Sequence, residues 1–321
     1  MTLPNQPNIS KFHSSSNSLS SDFESNLKIK YQWVYNLTVD NIVEFEPLSF
    51  PSIKKRWQST RVRGHLAGVA AFLNAKMVGL IIVELLPNAV EIISFFVIPE
   101  CRYQGIGNQL LKHVEQALIK LKAPQIQVKY RVTELTTSAL ESILKKQEWQ
   151  PPQTDFILFK SNRDNILQAP WLNQYSLPDK FTIFPWVELT EADKASIIKR
   201  QAYPELLSPF SPDIRLEPLN SLGLRYQGEV VGWVINHRID SDTVRYSIMF
   251  VEERFQKMGR AISLLIESIN IQVNSNIFYG TLAVSSSNQP MLKWCDRYLK
   301  PYTILTSESR YSYKLLNYRF S

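Results

Sequence analysis

Val97-Ile98-Pro99-Glu100-Cys101-Arg102-Tyr103-Gln104-Gly105-Ile106-Gly107-Asn108-Gln109-Leu110-Leu111 is matched without a gap, 154 residues later, by Val251-Glu252-Glu253-Arg254-Phe255-Gln256-Lys257-Met258-Gly259-Arg260-Ala261-Ile262-Ser263-Leu264-Leu265. Each stretch closes an apolar strand, turns through a glycine and opens into a helix. The first helix sets Leu110, Leu111, Val114, Leu118 and Leu121 on one face and Lys112, Glu115, Gln116 and Lys120 on the other, a 3.6-residue period. A helix that starts directly after a strand leaves its first N–H groups unpaired and aimed at one spot, where the helix dipole adds positive potential. Such a spot binds anions. Gly105 and Gly107 remove the side chains that would hold a diphosphate away from the backbone.

The offset is one domain long, and the elements around the two stretches come in the same order. Around the first lie a strand near Tyr31–Leu37 and a polar-to-helical stretch around Pro51–Ser59. Apolar runs Leu66–Leu73, Val78–Leu86 and Val90–Val97 follow, divided by Asn74-Ala75-Lys76 and Pro87-Asn88-Ala89, as in an antiparallel meander. Beyond the helix come a strand, Gln125–Val132, a helix, Thr137–Lys146, and a strand, Phe156–Lys160. The second copy has a strand, Phe181–Val187, and a helix, Thr190–Arg200, capped by Thr190 with Asp193 in its first turn. Its meander is Leu222–Tyr226, Val230–Arg238 and Thr243–Val251. A helix from Gly259 to about Asn270, a strand Phe278–Val284, a helix from Gln289 and a strand near Arg310–Leu315 complete it. The fold class is therefore α/β (α+β): two tandem lobes, each a mixed, mostly antiparallel sheet flanked by helices. The expected divisions are a disordered tail at 1–26, a first lobe at 27–160, a connector at 161–180 and a second lobe at 181–321.

With 321 residues, 44% of them hydrophobic, the chain suits two cores of roughly 150 residues each. No run approaches the roughly 18 apolar residues of a membrane span. Cys101 and Cys295 are the only cysteines, and His13, His65, His113 and His237 stand singly, so neither a disulfide framework nor a metal site is signalled. The tail has no apolar run for secretion, and Asp22 and Glu24 argue against a transit peptide; a cytoplasmic location is expected. Of the net charge of +7, most belongs to residues 27–160, which hold 17 Lys/Arg against 11 Asp/Glu. That bias suits a polyanion: nucleic acid, anionic lipid or the phosphates of a nucleotide cofactor. No nucleic-acid-binding motif is present.

Arg102-Tyr103-Gln104-Gly105-Ile106-Gly107 resembles the Arg/Gln-x-x-Gly-x-Gly/Ala signature of the GNAT superfamily of acyl-CoA-dependent N-acyltransferases, and Val97, Pro99 and Leu110-Leu111 accord with it. Gln256-Lys257-Met258-Gly259-Arg260-Ala261 resembles the same signature with Gln and Ala in the alternative places. The resemblance implies a sheet split near its fourth strand, with acetyl-CoA or another acyl-CoA in the split. It further implies direct transfer of an acetyl or longer acyl group to the primary amine of a small molecule or peptide. The protein supplies proximity, a base and polarisation of the thioester carbonyl. No nucleic acid is expected as a partner, and no membrane span is expected. The implied cofactor-binding positions are Ile98, Arg102, Tyr103, Gln104, Gly105, Ile106, Gly107 and Asn108, and in the second lobe Gln256, Lys257, Met258, Gly259, Arg260 and Ala261.

By the same resemblance Glu91, six residues before Val97, stands where many members carry a catalytic glutamate; the aligned residue of the second lobe is Arg245, which accepts no proton near neutral pH. The family's usual acidic tyrosine has no counterpart: Leu144 takes its place in the first lobe, and in the second the motif leads to Cys295, with Tyr298 one turn later. Lys54-Lys55-Arg56, Arg61 and Arg63 fall in the region that borders the acceptor site in this family, but read first as a solvated helix face and only second as recognition of an acidic acceptor or a CoA phosphate. Cys101 lies inside the first loop without an activating histidine nearby in sequence. The first lobe is expected to catalyse and the second to be structural or acceptor-shaping, while still holding CoA through Gly259. The alternative is a non-catalytic acyl-CoA-binding or scaffold protein.

Overall fold

The computed structural model describes residues 29–34, 45, 48, 65–210, 216–256 and 259–316. The expectations for the tail 1–26, the stretch 51–59, the basic residues Lys54, Lys55, Arg56, Arg61 and Arg63, and the loop residues Lys257 and Met258 lie outside the described residues.

Twelve strands form one sheet: β1 (Lys30–Val34), β2 (His65–Leu73), β3 (Lys76–Leu85), β4 (Val90–Val97), β5 (Gln125–Arg131), β6 (Gln153–Asn162), β7 (Phe181–Pro185), β8 (Leu222–Tyr226), β9 (Glu229–Asp240), β10 (Thr243–Val251), β11 (Tyr279–Ser285) and β12 (Leu305–Leu315). Their spatial order is β1-β2-β3-β4-β5-β12-β6-β11-β10-β9-β8-β7. Only β4–β5 and β10–β11 pair in parallel; every other neighbour is antiparallel. Among the helices, α1 (Ile106–Lys120) and α2 (Thr137–Lys146) belong to the first half, and α3 (Glu191–Arg200), α4 (Arg260–Val273) and α5 (Gln289–Trp294) to the second. The two tandem α/β units read from the sequence are present, and the loop offset extends to the sheet, since β5 begins at Gln125 and β11 at Tyr279.

The last strand of each half crosses over. β12, the chain's final strand, inserts beside β5, while β6 moves out to pair with β11; β6 and β12 meet in the middle as antiparallel neighbours. Because β6 and β12 are repeat equivalents, the junction is close to two-fold symmetric, as in an isologous interface within one chain. Each parallel strand, β5 or β11, finds its outer partner only in the other half of the sequence.

Alternating side chains build a core on each side of the sheet. One face packs on α1 through Val69, Ile81, Val83, Val90, Ile92, Ile126 and Val128, with Leu110, Leu111 and Val114 from the helix. In the second half Leu224, Val231, Val244 and Tyr246 meet Leu264, Leu265 and Ile269 of α4. The opposite face has its own clusters, Leu80 and Ile82 with Phe45 and Leu48 in the first half, and Trp233, Ile235 and Phe250 with Phe184, Trp186 and Ile197 in the second.

A buried charge fastens the exchanged strand. Glu115 of α1 is 6% exposed; it accepts from Trp149 Nε1 at 2.6 Å and from Lys314 Nζ of β12 at 2.6 Å, and the same ammonium donates to the Gln147 carbonyl at 2.6 Å. Removing one member of a buried, hydrogen-bonded pair strands the other. Glu115→Ala is therefore expected to lower unfolding stability by about 3 kcal/mol, read from the denaturant midpoint at constant slope. A change below a few tenths would show that β12 is held by its backbone ladder alone.

Candidate active site

A β-bulge opens the sheet at the same place in each half. Opposite β3, Ile82 pairs with Ser94 and Val83 with Ile92, so Ile93 is the extra residue; opposite β9, Tyr246 pairs with Asn236 and Ile248 with Ile235, so Ser247 is. A bulge bends its strand and raises the local twist. Pairing with the parallel neighbour ends there: β4 meets β5 only at Val90–Ile126, Glu91–Gln127 and Ile92–Val128, and β10 meets β11 only from Thr243–Tyr279 to Tyr246–Leu282. Beyond those points the strands part, leaving a split closed at one end by the bulge and bounded at the other by the glycine loop.

In the first loop Tyr103 and Gly105 both adopt left-handed backbone, at φ 62° and 80°. The helix begins without a side-chain cap. No described backbone acceptor takes the N–H groups of residues 103–108, whereas Gln109 N–H reaches the Gly105 carbonyl at 3.1 Å. Consecutive unpaired N–H groups in a curled backbone form an anion-binding hollow. A side chain at 105 would meet nothing described within 4 Å, so the hollow is open.

The other predicted loop residues divide by role. Arg102 Nε donates to the Val97 carbonyl at 3.0 Å, and Gln256 Nε2 to the Val251 carbonyl at 2.8 Å; the signature's Arg/Gln thus clamps the loop onto the strand it has just left. Gln104 is exposed and donates to the Glu100 carbonyl at 3.2 Å. Asn108 Oδ1 accepts from Gln147 Nε2 at 2.8 Å, while Ile106 is buried and Ile98 half-buried in the core. At Gly107 a Cβ would meet Ile143 Cδ1 of α2, the far end of a flexible side chain, at 2.8 Å, so this position also packs closely on the neighbouring helix. Cys101 is buried.

The second loop differs. Gly259 also has left-handed backbone, at φ 74°, but a side chain there would meet Tyr175 Cδ1 at 3.0 Å. The connector lays that ring on the loop, and Trp171 just before it donates from Nε1 to the Tyr298 carbonyl at 2.7 Å and packs edge-on against Trp294. Arg260 is turned inward, 9% exposed, with its guanidinium 5.0 Å from the Phe181 ring centroid, so its charge faces the core. Ala261 packs against the α4 cluster. The 154-residue offset sets Tyr298 level with Leu144, which corrects the expectation that the second lobe has no tyrosine at that position; Tyr298 is half-buried against Trp294 and Arg297, and Leu144 is buried.

Glu91 lies on the face opposite α1, at the apex of the split, directly across from the buried Glu84 on β3 and from Gln127 on β5. Arg245 holds the equivalent position beside Thr281 and His237 and is exposed. Although much of the side chain is exposed, partial burial of its guanidinium, then the like charge of Arg131, push its pKa down; partial burial and Arg245 do the same to His237. On the helix side of the parted β5, Tyr130 donates to Glu141 at 2.7 Å, and Arg310 of the exchanged strand meets the same carboxylate at 2.8 Å. Burial, reinforced by Glu141, raises the Tyr130 pKa. Sequence spacing gives no hint of this triad, because Arg310 arrives from 169 residues away.

The family model of the acetyltransferase (GNAT) family matches residues 31–138. A tandem GNAT protein from the clavulanic acid biosynthesis pathway superposes with a TM-score of 0.64 at 9% identity, covering 91% of this chain and 100% of the other. A GCN5-related N-acetyltransferase from Sphaerobacter thermophilus gives 0.60 at 17% identity, covering 83% and 85%. A GCN5-related glucosamine N-acetyltransferase region of a fungal multi-domain GH3 β-N-acetylglucosaminidase gives 0.62 at 13%, covering 92% of this chain and 39% of that one. No curated protein sequence matches the chain.

The first loop's conformation demands a residue that tolerates positive φ at 105. Gly105→Val is expected to cost about 1–2 kcal/mol of stability and Gly105→Asn much less, compared by thermal melts. Equal melts for the two would mean that the loop relaxes out of the left-handed region.

Proposed function

Because residues 31–138 match the GNAT acetyltransferase family and the whole chain has the fold of a tandem GNAT protein, we propose that it transfers an acyl group from acyl-CoA to a primary amine, and that the first lobe does so. The carrying observation is the β4–β5 split, which ends at a loop with unpaired N–H groups at 103–108 and open space at Gly105. Those groups fit a diphosphate. From Val97 back to Glu91 an extended strand covers about 20 Å, a span for an extended pantetheine arm lying along the parted edge of β4. The thioester then reaches the apex, where the Ile93 bulge frees backbone from the ladder to polarise its carbonyl. Glu91, on the opposite face, takes the proton from the incoming amine. Leu144 offers no proton to the departing thiolate, which water protonates.

The lobes are unequal in this reading. Arg245 cannot serve as a base, and Tyr175 rests on the second loop's glycine. Leu144 favours one rival, a protein that binds acyl-CoA without turnover. Release of free CoA thiol from acetyl-CoA across a panel of amines decides between them: a rate above the amine-free background supports the transferase, and none with any amine supports the rival.

Two variants follow. Glu91→Gln keeps shape and removes basicity, so kcat should fall by roughly 10²–10⁴ while acetyl-CoA affinity holds; near-normal turnover would place the proton acceptor elsewhere. Gln104→Glu puts a carboxylate at the mouth of the hollow on an exposed side chain, avoiding the helix clash that a substitution at Gly107 creates. Acetyl-CoA affinity should fall about tenfold or more through like-charge repulsion, measured by calorimetry. Unchanged affinity would remove the first loop from the binding site.

A further inference from the structure

The cross-strand register shows which side chains share the face that carries Glu91. Gln127 and Tyr313 adjoin it; along β5 come Lys129, opposite Tyr311, and Arg131, opposite Ser309. Across the exchanged strands Ser309 adjoins Phe156, and farther along β6 one row runs Lys160, Thr281, Arg245, His237. The strand exchange makes this a single continuous surface onto which both Glu91 and its repeat equivalent Arg245 project. It is open over the middle strands, where Phe156, Leu305, Arg131 and Arg245 are all exposed.

Charge on that surface is polarised. Two carboxylates, Glu84 and Glu91, are direct cross-strand neighbours at the first-lobe end. At the other end Lys160 and Arg245 flank Thr281, two strand spacings or about 10 Å apart. The Lys160 ammonium sits 4.0 Å from the Tyr279 ring centroid. Among the described residues no carboxylate pairs with Lys160, Arg131 or Arg245, whereas Lys129 on the same face is paired with Asp155 at 3.2 Å. Partial burial, and after it the like charge of Arg131, lower the Arg245 pKa. Like charges gathered on a partly desolvated surface repel, and an anion placed among them relieves that repulsion.

We propose that Lys160, Arg245 and Arg131 form the anion-recognition end of the acceptor site, and that the acceptor is an acidic peptide whose amine meets Glu91 while a carboxylate further along meets these cations. The proposal rests on the reading of the first lobe as an acyltransferase. Along β5 the four residues from Gln127 to Arg131 span about 13 Å, so a carboxylate that reaches Arg131, of the three the cation nearest Glu91 in strand order, belongs about four residues beyond the amine. The second lobe thereby supplies specificity: the position that carries the base in one repeat carries the anion receptor in the other.

The probes are two C-terminally amidated pentapeptides, Ala-Gly-Gly-Gly-Glu and Ala-Gly-Gly-Gly-Gln, titrated calorimetrically into the CoA-loaded full chain, so that binding is read without turnover. The glutamate peptide should bind at least about tenfold more tightly, the scale of one charge-assisted hydrogen bond. Arg245→Gln and Arg131→Gln, both at exposed positions, should each shrink that preference below about threefold with acetyl-CoA affinity intact, and Arg245→Lys should keep part of it. Equal affinities, no binding of either peptide, or a preference untouched by both variants would overturn the proposal. Failure of the acyltransferase reading shows separately, as absent acetyl-CoA binding or absent thiol release with every amine.

Discussion

The exchange of β6 and β12 governs the architecture. Parallel strands β5 and β11 would each face an unsatisfied edge without an outer neighbour, and unpaired edge groups are both costly and open to the wrong partner. Each half fills the gap with a strand from the other, so neither sheet is complete until the whole chain has been threaded. The Glu115–Trp149–Lys314 cluster fixes the insertion at one end, and Arg310 carries the exchanged strand into contact with Glu141 beside the first split. A contact this distant in sequence requires closing a very long loop, which slows folding more than it weakens the folded state.

On that frame the repeat has kept shape while its chemistry diverged. Both bulges, both splits and both loop clamps recur at the same offset. A bulge and a left-handed glycine are backbone features, and many side chains support them. The halves part in their side chains: Glu91 against Arg245 at the apex, and at the loop open space over Gly105 against the Tyr175 ring over Gly259.

The strand–loop–helix junctions were legible in the sequence because they combine three local signals: an apolar strand end, a glycine at a forced positive φ, and a switch to helical period. Two tandem lobes and nearly every strand followed from the same reading. The exchange was not legible, since β6 and β12 carry the same alternation whichever half they join. Side-chain direction was also hidden. Nothing in the spacing says that Gly107 stands close to Ile143, or that the Arg260 guanidinium lies over the Phe181 ring. The connector read as linker because proline and tryptophan do not announce which surface they cover. The cation row escaped notice for a similar reason: Lys160, Arg131 and Arg245 come from three strands, and only the register brings Lys160 and Arg245 onto one line.

The central claim is that a chain with two loops of one design uses the first to hold acyl-CoA. Hydrogen–deuterium exchange of the backbone, with and without saturating acetyl-CoA, reads both loops in the same experiment. Slowed exchange should be confined to residues 103–108, whose unpaired N–H groups would acquire phosphate oxygens as acceptors. Protection of residues 252–263, alone or in addition, would contradict the account and return the second lobe to the chemistry.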